Sequence, residues 1–145
     1  MRANSKLIFE NSGSIHGLSI ETTPSDLYLA TLQGLALGSR FILETIEDKS
    51  SAKFDAIVIT GGLTKTQLFV STNANAAKIP VIVPDTDNGV LLGSAMLAGV
   101  ASGCYDSLKT AQNSMSSNGT TVMPNDKIGA WYDEKLIQFK RQLIG

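Results

Sequence analysis

The stretch FDAIVITGGLTKTQLF, from Phe54 to Phe69, constrains the fold more than any other part of the chain. Five of its first six residues are apolar, and beyond Asp55 the run is apolar on both faces, as is typical of an interior strand. Two adjacent glycines, Gly61 and Gly62, then end the run directly before a segment with helical spacing. This order predicts a buried strand, a tight glycine turn and a helix.

Two elements are predicted before this stretch. A loose alternation of apolar residues predicts a short strand over Ser14–Glu21. A long helix is predicted from Pro24 to about Asp48, because Thr23 is a suitable N-cap, proline suits the first helical position and Asp26 suits the first turn. Within that helix two glycines lie one turn apart, and each costs about 1 kcal/mol of helix propensity relative to alanine. We therefore expect close packing of that face against a neighbouring element, at Gly34 and Gly38.

Five elements are predicted after the glycine turn and its helix. A second buried strand is expected in IPVIVP, a possible short strand in GTTVMP, and a helix in DNGVLLGSAMLAGVASG with Asp87 or Asn88 as its cap. YDSLKTAQNSM predicts a short helix capped by Asp106. The chain then closes with an amphipathic helix whose candidate core residues are Trp131, Leu136, Phe139 and Leu143. Because helices and strands alternate, the fold class is α/β, with a sheet flanked by helices.

Composition excludes several kinds of partner. The chain has 145 residues, with 12 basic against 13 acidic side chains and no dense basic cluster, so we expect no nucleic-acid partner. No apolar run approaches the ~20 residues of a membrane helix, so we expect no membrane partner and a cytoplasmic location. The single cysteine, Cys104, excludes an internal disulfide and a cysteine-based zinc site, and is interpreted as a small apolar residue in a turn.

The candidate site residues start with the glycine pair. A strand that ends in glycines and leads into a helix lets a ligand approach the backbone, because glycine has no Cβ and the first helical amides lack intrahelical partners. The spacing matches neither the dinucleotide fingerprint nor a P-loop, so a plain turn and a ligand site are equally weighted on this evidence. Lys65 could meet a phosphate or be solvated, with solvation the commoner case.

Other polar residues favour structural roles. Asp85 and Asp87 could hold a magnesium ion, but acidic residues before a helix are usually caps. His16 is the only histidine and is interpreted as a solvent-facing strand residue. From the residues alone we assign no catalytic residue and no metal ligand.

A longer pattern is more specific. GSIHGLSIETTPSDLYLATLQ, from Gly13 to Gln33, resembles the second signature of the FGGY carbohydrate kinases, with every constrained position filled. The following segments are similar to that family in order and spacing, and VITGGLTKTQLFV lies where the family has its adenosine loop. The resemblance covers nearly the whole chain and is strongest to kinases of ribulose-like pentuloses.

The resemblance implies an actin-like, ribonuclease H-like fold in which two lobes close around ATP and a sugar. Residues 1–145 would be the C-terminal, nucleotide-binding part of the second lobe, incomplete at its N-terminus. By matching positions, Gly61 and Gly62 would lie against the adenosine and α-phosphate, and Leu63 beside the adenine. Thr66 stands where many members have an asparagine that reaches the base or ribose, and threonine lacks that amide.

The function implied by the resemblance is ATP-dependent phosphorylation of a sugar hydroxyl, with magnesium, on a pentulose such as D-ribulose. In the family, the sugar-binding lobe, the catalytic aspartate and the β- and γ-phosphate loops precede the segment seen here. We therefore expect this chain to be inactive alone and to bind the sugar only with that lobe. The alternative is a non-catalytic nucleotide-binding or interaction module. Apolar helix faces also make self-association possible.

Overall fold

The structure, a computed structural model, describes residues 14–86, 88–116 and 119–144. The helices and strands of these residues follow one another in the order predicted from Pro24 onward. They are α1 (Pro24–Ser50), β1 (Ile57–Val58), a 3-10 helix (Gly62–Lys65), α2 (Gln67–Ala77), β2 (Val81–Pro84), α3 (Gly89–Ala101), α4 (Leu108–Met115), β3 (Gly119–Val122) and α5 (Asp126–Ile144).

The three strands form one mixed sheet in the order β1-β2-β3. β1 runs parallel to β2, with Ile57 opposite Val81, and α2 makes the crossover between them. β3 runs antiparallel to β2, with Gly119 opposite Pro84. Both predicted strands after the glycine turn, and the α/β class, are thereby confirmed.

The start of α1 follows the predicted chemistry. The Thr23 hydroxyl accepts a hydrogen bond from the backbone N–H of Asp26, and the Asp26 carboxylate accepts one from the backbone N–H of Thr23 at 2.9 Å. This reciprocal capping box satisfies donors that the first turn leaves without partners. The hydrogen bonds from Thr23 hold the pKa of the Asp26 carboxyl below its usual value, with a small opposing effect of burial.

The core has two parts that share α2. One part joins α1, α2 and α5 through Ala36, Leu37, Ala76, Tyr132 and Leu136, with Phe41 and Phe139 packed against it. The other joins α2 to the sheet through Val70, Ala74 and Val81. α2 therefore links the sheet to the helical layer.

The predicted core residues of α5 are only partly right. Leu136 is buried and Phe139 packs against the core, as expected. Trp131 is 40% exposed and Leu143 52% exposed, so their assignment to the core was wrong. The side chain that fills the core instead is Tyr132, which is 3% exposed. Burial raises the pKa of its hydroxyl, against the lowering effect of hydrogen bonds with Thr72 and Gln33.

Several local predictions are corrected by the structure. Residues 14–21 form no strand, because no described strand pairs with them, and Ile15, Leu18 and Ile20 are exposed. β1 is not covered on both faces, since Val58 is 61% exposed. The cap of α4 is Ser107 rather than Asp106, since the Ser107 hydroxyl accepts from the backbone N–H of Thr110.

The two glycines of α1 do not mark a close contact. A Cβ on Gly38 would lie 3.9 Å from the ring of Phe139, an ordinary contact distance, and one on Gly34 would meet no atom within 4 Å. α1 packs mainly through the neighbouring stripe of Leu32, Ala36 and Leu37. The close packing expected at these glycines is therefore wrong.

A network of charges joins the helices beside the core. Arg40 of α1 contacts Glu44 at 2.9 Å and Asp133 of α5 at 2.7 Å, and it donates to the carbonyl of Ala76 in α2. Lys78 contacts Asp133 at 3.0 Å from the end of α2. The guanidinium of Arg40 thus bridges three helices.

Candidate functional site

The glycine pair forms a turn at the carboxyl end of β1. Gly61 has φ +106°, a conformation that side chains with a Cβ rarely adopt, which explains glycine at this position. Its carbonyl accepts hydrogen bonds from the backbone N–H of Thr64 at 3.1 Å and from the Thr64 hydroxyl at 2.6 Å. These bonds close the 3-10 helix that follows, so the turn is held by local contacts.

The backbone of this turn is open to solvent. Gly61 and Gly62 are both exposed, and a Cβ on either residue would meet no atom within 4 Å. A ligand can therefore approach the main chain of both residues directly. The strand, the glycine turn and the following helical segment match the sequence prediction.

A cleft of about 570 Å³ lies beside the turn. One wall is the 3-10 segment, with Gly61, Gly62, Thr64 and Lys65, and the other is the end of β2 with Pro84, Asp85 and Thr86. Because β1 and β2 are parallel neighbours, their carboxyl ends meet at the same edge of the sheet, where α/β folds commonly bind ligands.

Two predicted site residues lie outside the walls of this cleft. Leu63 is 55% exposed but does not line the cleft, and neither does Thr66. Thr66 is the N-cap of α2, yet its side chain makes no capping bond, and its backbone N–H donates to the carbonyl of Leu63. The structure thus brings the glycines together with Lys65 and leaves Leu63 and Thr66 on the adjoining surface.

Sequence reasoning did not assign Thr64, Pro84 or Thr86 to this site. The second predicted strand, IPVIVP, could have indicated them. If this strand pairs in parallel with the strand before the glycine turn, the carboxyl end of IPVIVP lies beside that turn. Asp85 was considered only as a cap or a magnesium ligand, and it lines the cleft. Asp87 lies outside the described residues.

A second cavity adjoins the cleft. It has a volume of about 340 Å³, and it shares Pro84 and Thr86 with the cleft. Its other walls are mainly apolar side chains of the sheet and the inner side of α3, including Val58, Ile82, Leu92 and Met96. The polar cleft and the apolar cavity together border the carboxyl ends of the two parallel strands.

The acidic and histidine groups of the described residues form no metal centre. No group of three or more histidine, cysteine, aspartate or glutamate side chains in the described ranges could hold a metal ion. His16 is exposed, and its Nε2 lies 2.9 Å from the Ser14 hydroxyl. It is solvent-facing as predicted, although it does not lie on a strand.

Comparison with known sequences decides the family. Residues 9–102 match the sequence profile of the FGGY family of carbohydrate kinases, C-terminal domain. The chain belongs to the FGGY family of carbohydrate kinases. An FGGY carbohydrate kinase domain-containing protein of Danio rerio is 39% identical over 132 residues, and its Homo sapiens counterpart is 36% identical over 126 residues. These matches cover 89% and 85% of this chain but only 24% and 23% of the relatives, so the chain spans about a quarter of their length.

Solved structures of a xylulose kinase and of a glycerol kinase share the fold of this FGGY chain. A xylulose kinase from Rhodospirillum rubrum superposes with a TM-score of 0.77 at 22% identity, covering 91% of this chain and 27% of that protein. Plasmodium falciparum glycerol kinase, solved with ADP, gives a TM-score of 0.72 at 21% identity, with 91% and 27% coverage. The expected assignment to an actin-like α/β fold is confirmed. Within the described ranges, none of the helices has the length and apolar character needed to cross a membrane.

Proposed function

We propose that this FGGY chain is the nucleotide-binding part of an ATP-dependent carbohydrate kinase, with the cleft beside Gly61 and Gly62 as the nucleotide site. The observation that carries the proposal is the left-handed turn at Gly61, at the carboxyl end of β1, with its main chain open to the cleft. Adenosine and the α-phosphate would lie against these two residues. Leu63 and Thr66, on the adjoining surface, would contact the adenine or ribose.

The walls of the cleft fit a phosphorylated ligand. Lys65 supplies a positive charge at the end of the 3-10 helix, and Thr64 and Thr86 supply hydroxyl groups. A single lysine suits one phosphate better than a full triphosphate. We therefore place only the adenosine and α-phosphate end of ATP on this chain.

Magnesium fits the site only together with the nucleotide. The described residues supply no cluster of ligands for a free ion. Mg²⁺ in kinases is commonly held by one or two carboxylates plus substrate phosphates. Asp85 is the described carboxylate that lines the cleft, so it is the candidate for a contact with phosphate-bound Mg²⁺ when ATP is present.

For the sugar we propose a pentulose such as D-ribulose. The relatives include a protein named ribulokinase in Mycolicibacterium smegmatis, 31% identical over 118 residues, 79% of this chain and 21% of that protein. They also include L-fuculokinase of Haemophilus influenzae, at 28% identity. These names support a ketose as the acceptor, and the higher identity to the ribulokinase favours five carbons.

The nucleotide site is tested by calorimetric titration of the chain with MgADP. We expect binding, and we expect Gly62→Val to weaken it about tenfold or more, about 1.4 kcal/mol, because a side chain there covers the backbone surface. Gly34→Ala is the matched control, since both glycines have open space around a Cβ but Gly34 lies on α1. Absence of MgADP binding, or equal binding by the Gly62→Val protein, would refute this site.

A measurement of sugar phosphorylation distinguishes part of a kinase from a non-catalytic nucleotide-binding module. We expect no sugar phosphorylation by the 145 residues alone, because phosphoryl transfer needs charge stabilisation and positioning around the γ-phosphate. ADP production that depends on D-ribulose and is abolished by Gly62→Val would contradict this expectation. Nucleotide binding that never supports turnover, even when the rest of a relative is added, would favour the non-catalytic module.

A further inference from the structure

A cavity of about 740 Å³ lies between the segment before α1, the first half of α1, and α5. Its lining includes three residues that stand out in the sequence and that the nucleotide cleft does not use, namely His16, Gly34 and Trp131. None of its described lining residues belongs to the cleft beside the glycine turn. These three residues therefore meet at a place separate from that cleft.

One wall of the cavity is a stripe of side chains on α5. Trp131, Lys135, Gln138 and Gln142 line it, and their spacing of three or four residues places them on one face of the helix. Trp131 is 40% exposed, and the ammonium of Lys135 lies 5.3 Å from the centre of its ring. The stripe thus presents an aromatic surface, a positive charge and amide groups to the cavity.

The facing wall on α1 leaves room for a ligand. Gly34 lines the cavity, and a Cβ at this position would meet no atom within 4 Å. A glycine inside a helix costs about 1 kcal/mol relative to alanine, and no close packing contact requires it here. Its effect is to keep this part of the cavity open, since a larger side chain would occupy the space.

The charge of Lys135 has no carboxylate partner among the described residues. Arg40, Lys78 and Lys140 each lie within 3.0 Å of a carboxylate oxygen. The ammonium of Lys135 instead donates to the side-chain oxygen of Gln138, at 3.3 Å, and no described residue that lines the cavity is acidic. Because Lys135 is partly buried and a partly buried cation is stabilised by a nearby negative charge, the cavity favours an anionic occupant.

We propose that this cavity binds a monosaccharide that carries one carboxylate or phosphate group. The single charge of Lys135 matches one anionic group. The amides of Gln138 and Gln142 both donate and accept hydrogen bonds, as sugar hydroxyls do. The apolar C–H groups of a sugar ring fit against Trp131, and small-molecule sites commonly combine such an apolar wall with a few polar groups.

The test uses the fluorescence of Trp131, the only tryptophan in the sequence. The full chain is titrated with D-glucuronate, with D-glucose-6-phosphate and with neutral D-glucose, and affinities are taken from the midpoints. We expect saturable binding of at least one anionic sugar at millimolar concentration, and binding of D-glucose that is weaker by about tenfold or more. The anionic sugar with the higher affinity identifies the preferred group, carboxylate or phosphate.

Two variants test the two walls. Lys135→Met removes the charge and keeps an apolar stem, so it should weaken the anionic sugar about tenfold or more without changing the weak response to D-glucose. Lys127→Met is the matched control, because it removes an exposed lysine of the same helix that does not line the cavity. Gly34→Leu should abolish binding by filling the open space on α1. Circular dichroism checks that each variant is folded.

Three results would overturn the proposal: no saturable change with either anionic sugar, equal affinity for D-glucose, or unchanged binding by the Lys135→Met protein. Competition by MgADP would also overturn it, because the anion would then lie in the nucleotide cleft. The measurement does not require nucleotide binding, so its outcome is separate from that of the proposed ATP site.

Discussion

Gly89, the first residue of α3, lies directly against Thr60, the residue before the glycine pair. A Cβ on Gly89 would lie 2.7 Å from the Thr60 hydroxyl oxygen and 2.9 Å from its Cβ. The Thr60 Cβ is fixed to the backbone and cannot rotate away. A side chain at position 89 therefore has to move either α3 or the end of β1, and the second choice disturbs the turn at Gly61.

We predict that Gly89→Ala lowers the free energy of unfolding by about 1–3 kcal/mol, because overpacking outweighs the gain in helix propensity. Urea denaturation followed by circular dichroism measures the change. Gly93→Ala, on the same helix, is the control, since a Cβ there meets no atom within 4 Å. It should be neutral or stabilising by up to about 1 kcal/mol. Equal effects of both substitutions would show that Gly89 and Thr60 do not pack this closely.

The contribution of α5 to the core gives a second prediction. Leu136→Ala should destabilise the fold by about 2–4 kcal/mol, because it opens a cavity between α1, α2 and α5. Leu143→Ala on the same helix should cost under about 1 kcal/mol, since Leu143 is 52% exposed. Thermal and urea unfolding of the two variants measure the difference. Similar losses would contradict the placement of α5.

The charge network predicts how stability depends on pH. The hydrogen bond from Lys78 is the main cause that lowers the pKa of the Asp133 carboxyl, burial opposes it, and Arg40 lowers it further. A carboxylate with a lowered folded-state pKa stabilises the fold above its unfolded-state pKa of 3.8. That contribution is lost as the pH falls below this value and through the lower folded-state pKa.

We therefore expect Asp133→Asn to reduce the unfolding free energy at neutral pH, with the difference from the native chain shrinking as the pH falls below about 4. Asp55→Asn, which removes an exposed carboxylate before β1, is the control, because Asp55 lies outside this charge network. Urea unfolding between pH 3 and pH 7 supplies the data. A difference that grows toward acid pH would have the wrong sign for this network.

Local chemistry made the helix α1 predictable. Thr23, Pro24 and Asp26 indicate the start of the helix by their preferences for the cap and the first turn, and the observed helix starts at Pro24. The cap of α4 was one residue off because Asp106 and Ser107 are both good caps, and only the backbone geometry selects between them. The choice between two adjacent capping residues therefore depends on the folded backbone and not on residue type.

Features that depend on distant parts of the chain were predicted less well. An alternating pattern at Ser14–Glu21 becomes a strand only where another strand offers hydrogen bonds, and no described strand does so here. Val58 was predicted to be buried because valine is apolar. Its burial depends on which other elements cover that face of the sheet. Likewise, Gly61 and Gly62 were enough to predict the glycine turn. Placing Pro84 and Thr86 on the opposite wall of the cleft required knowing that β1 and β2 pair in parallel.

We propose that the glycine turn after β1 holds the adenosine end of a nucleotide. The most direct test is a titration of the isotope-labelled chain with MgADP, followed by the backbone amide signals in two-dimensional NMR. We expect the largest shifts at Gly61, Gly62, Thr64, Lys65 and Thr86. No shifts on saturation with MgADP, or largest shifts away from this cleft, for example around Trp131 on α5, would contradict it.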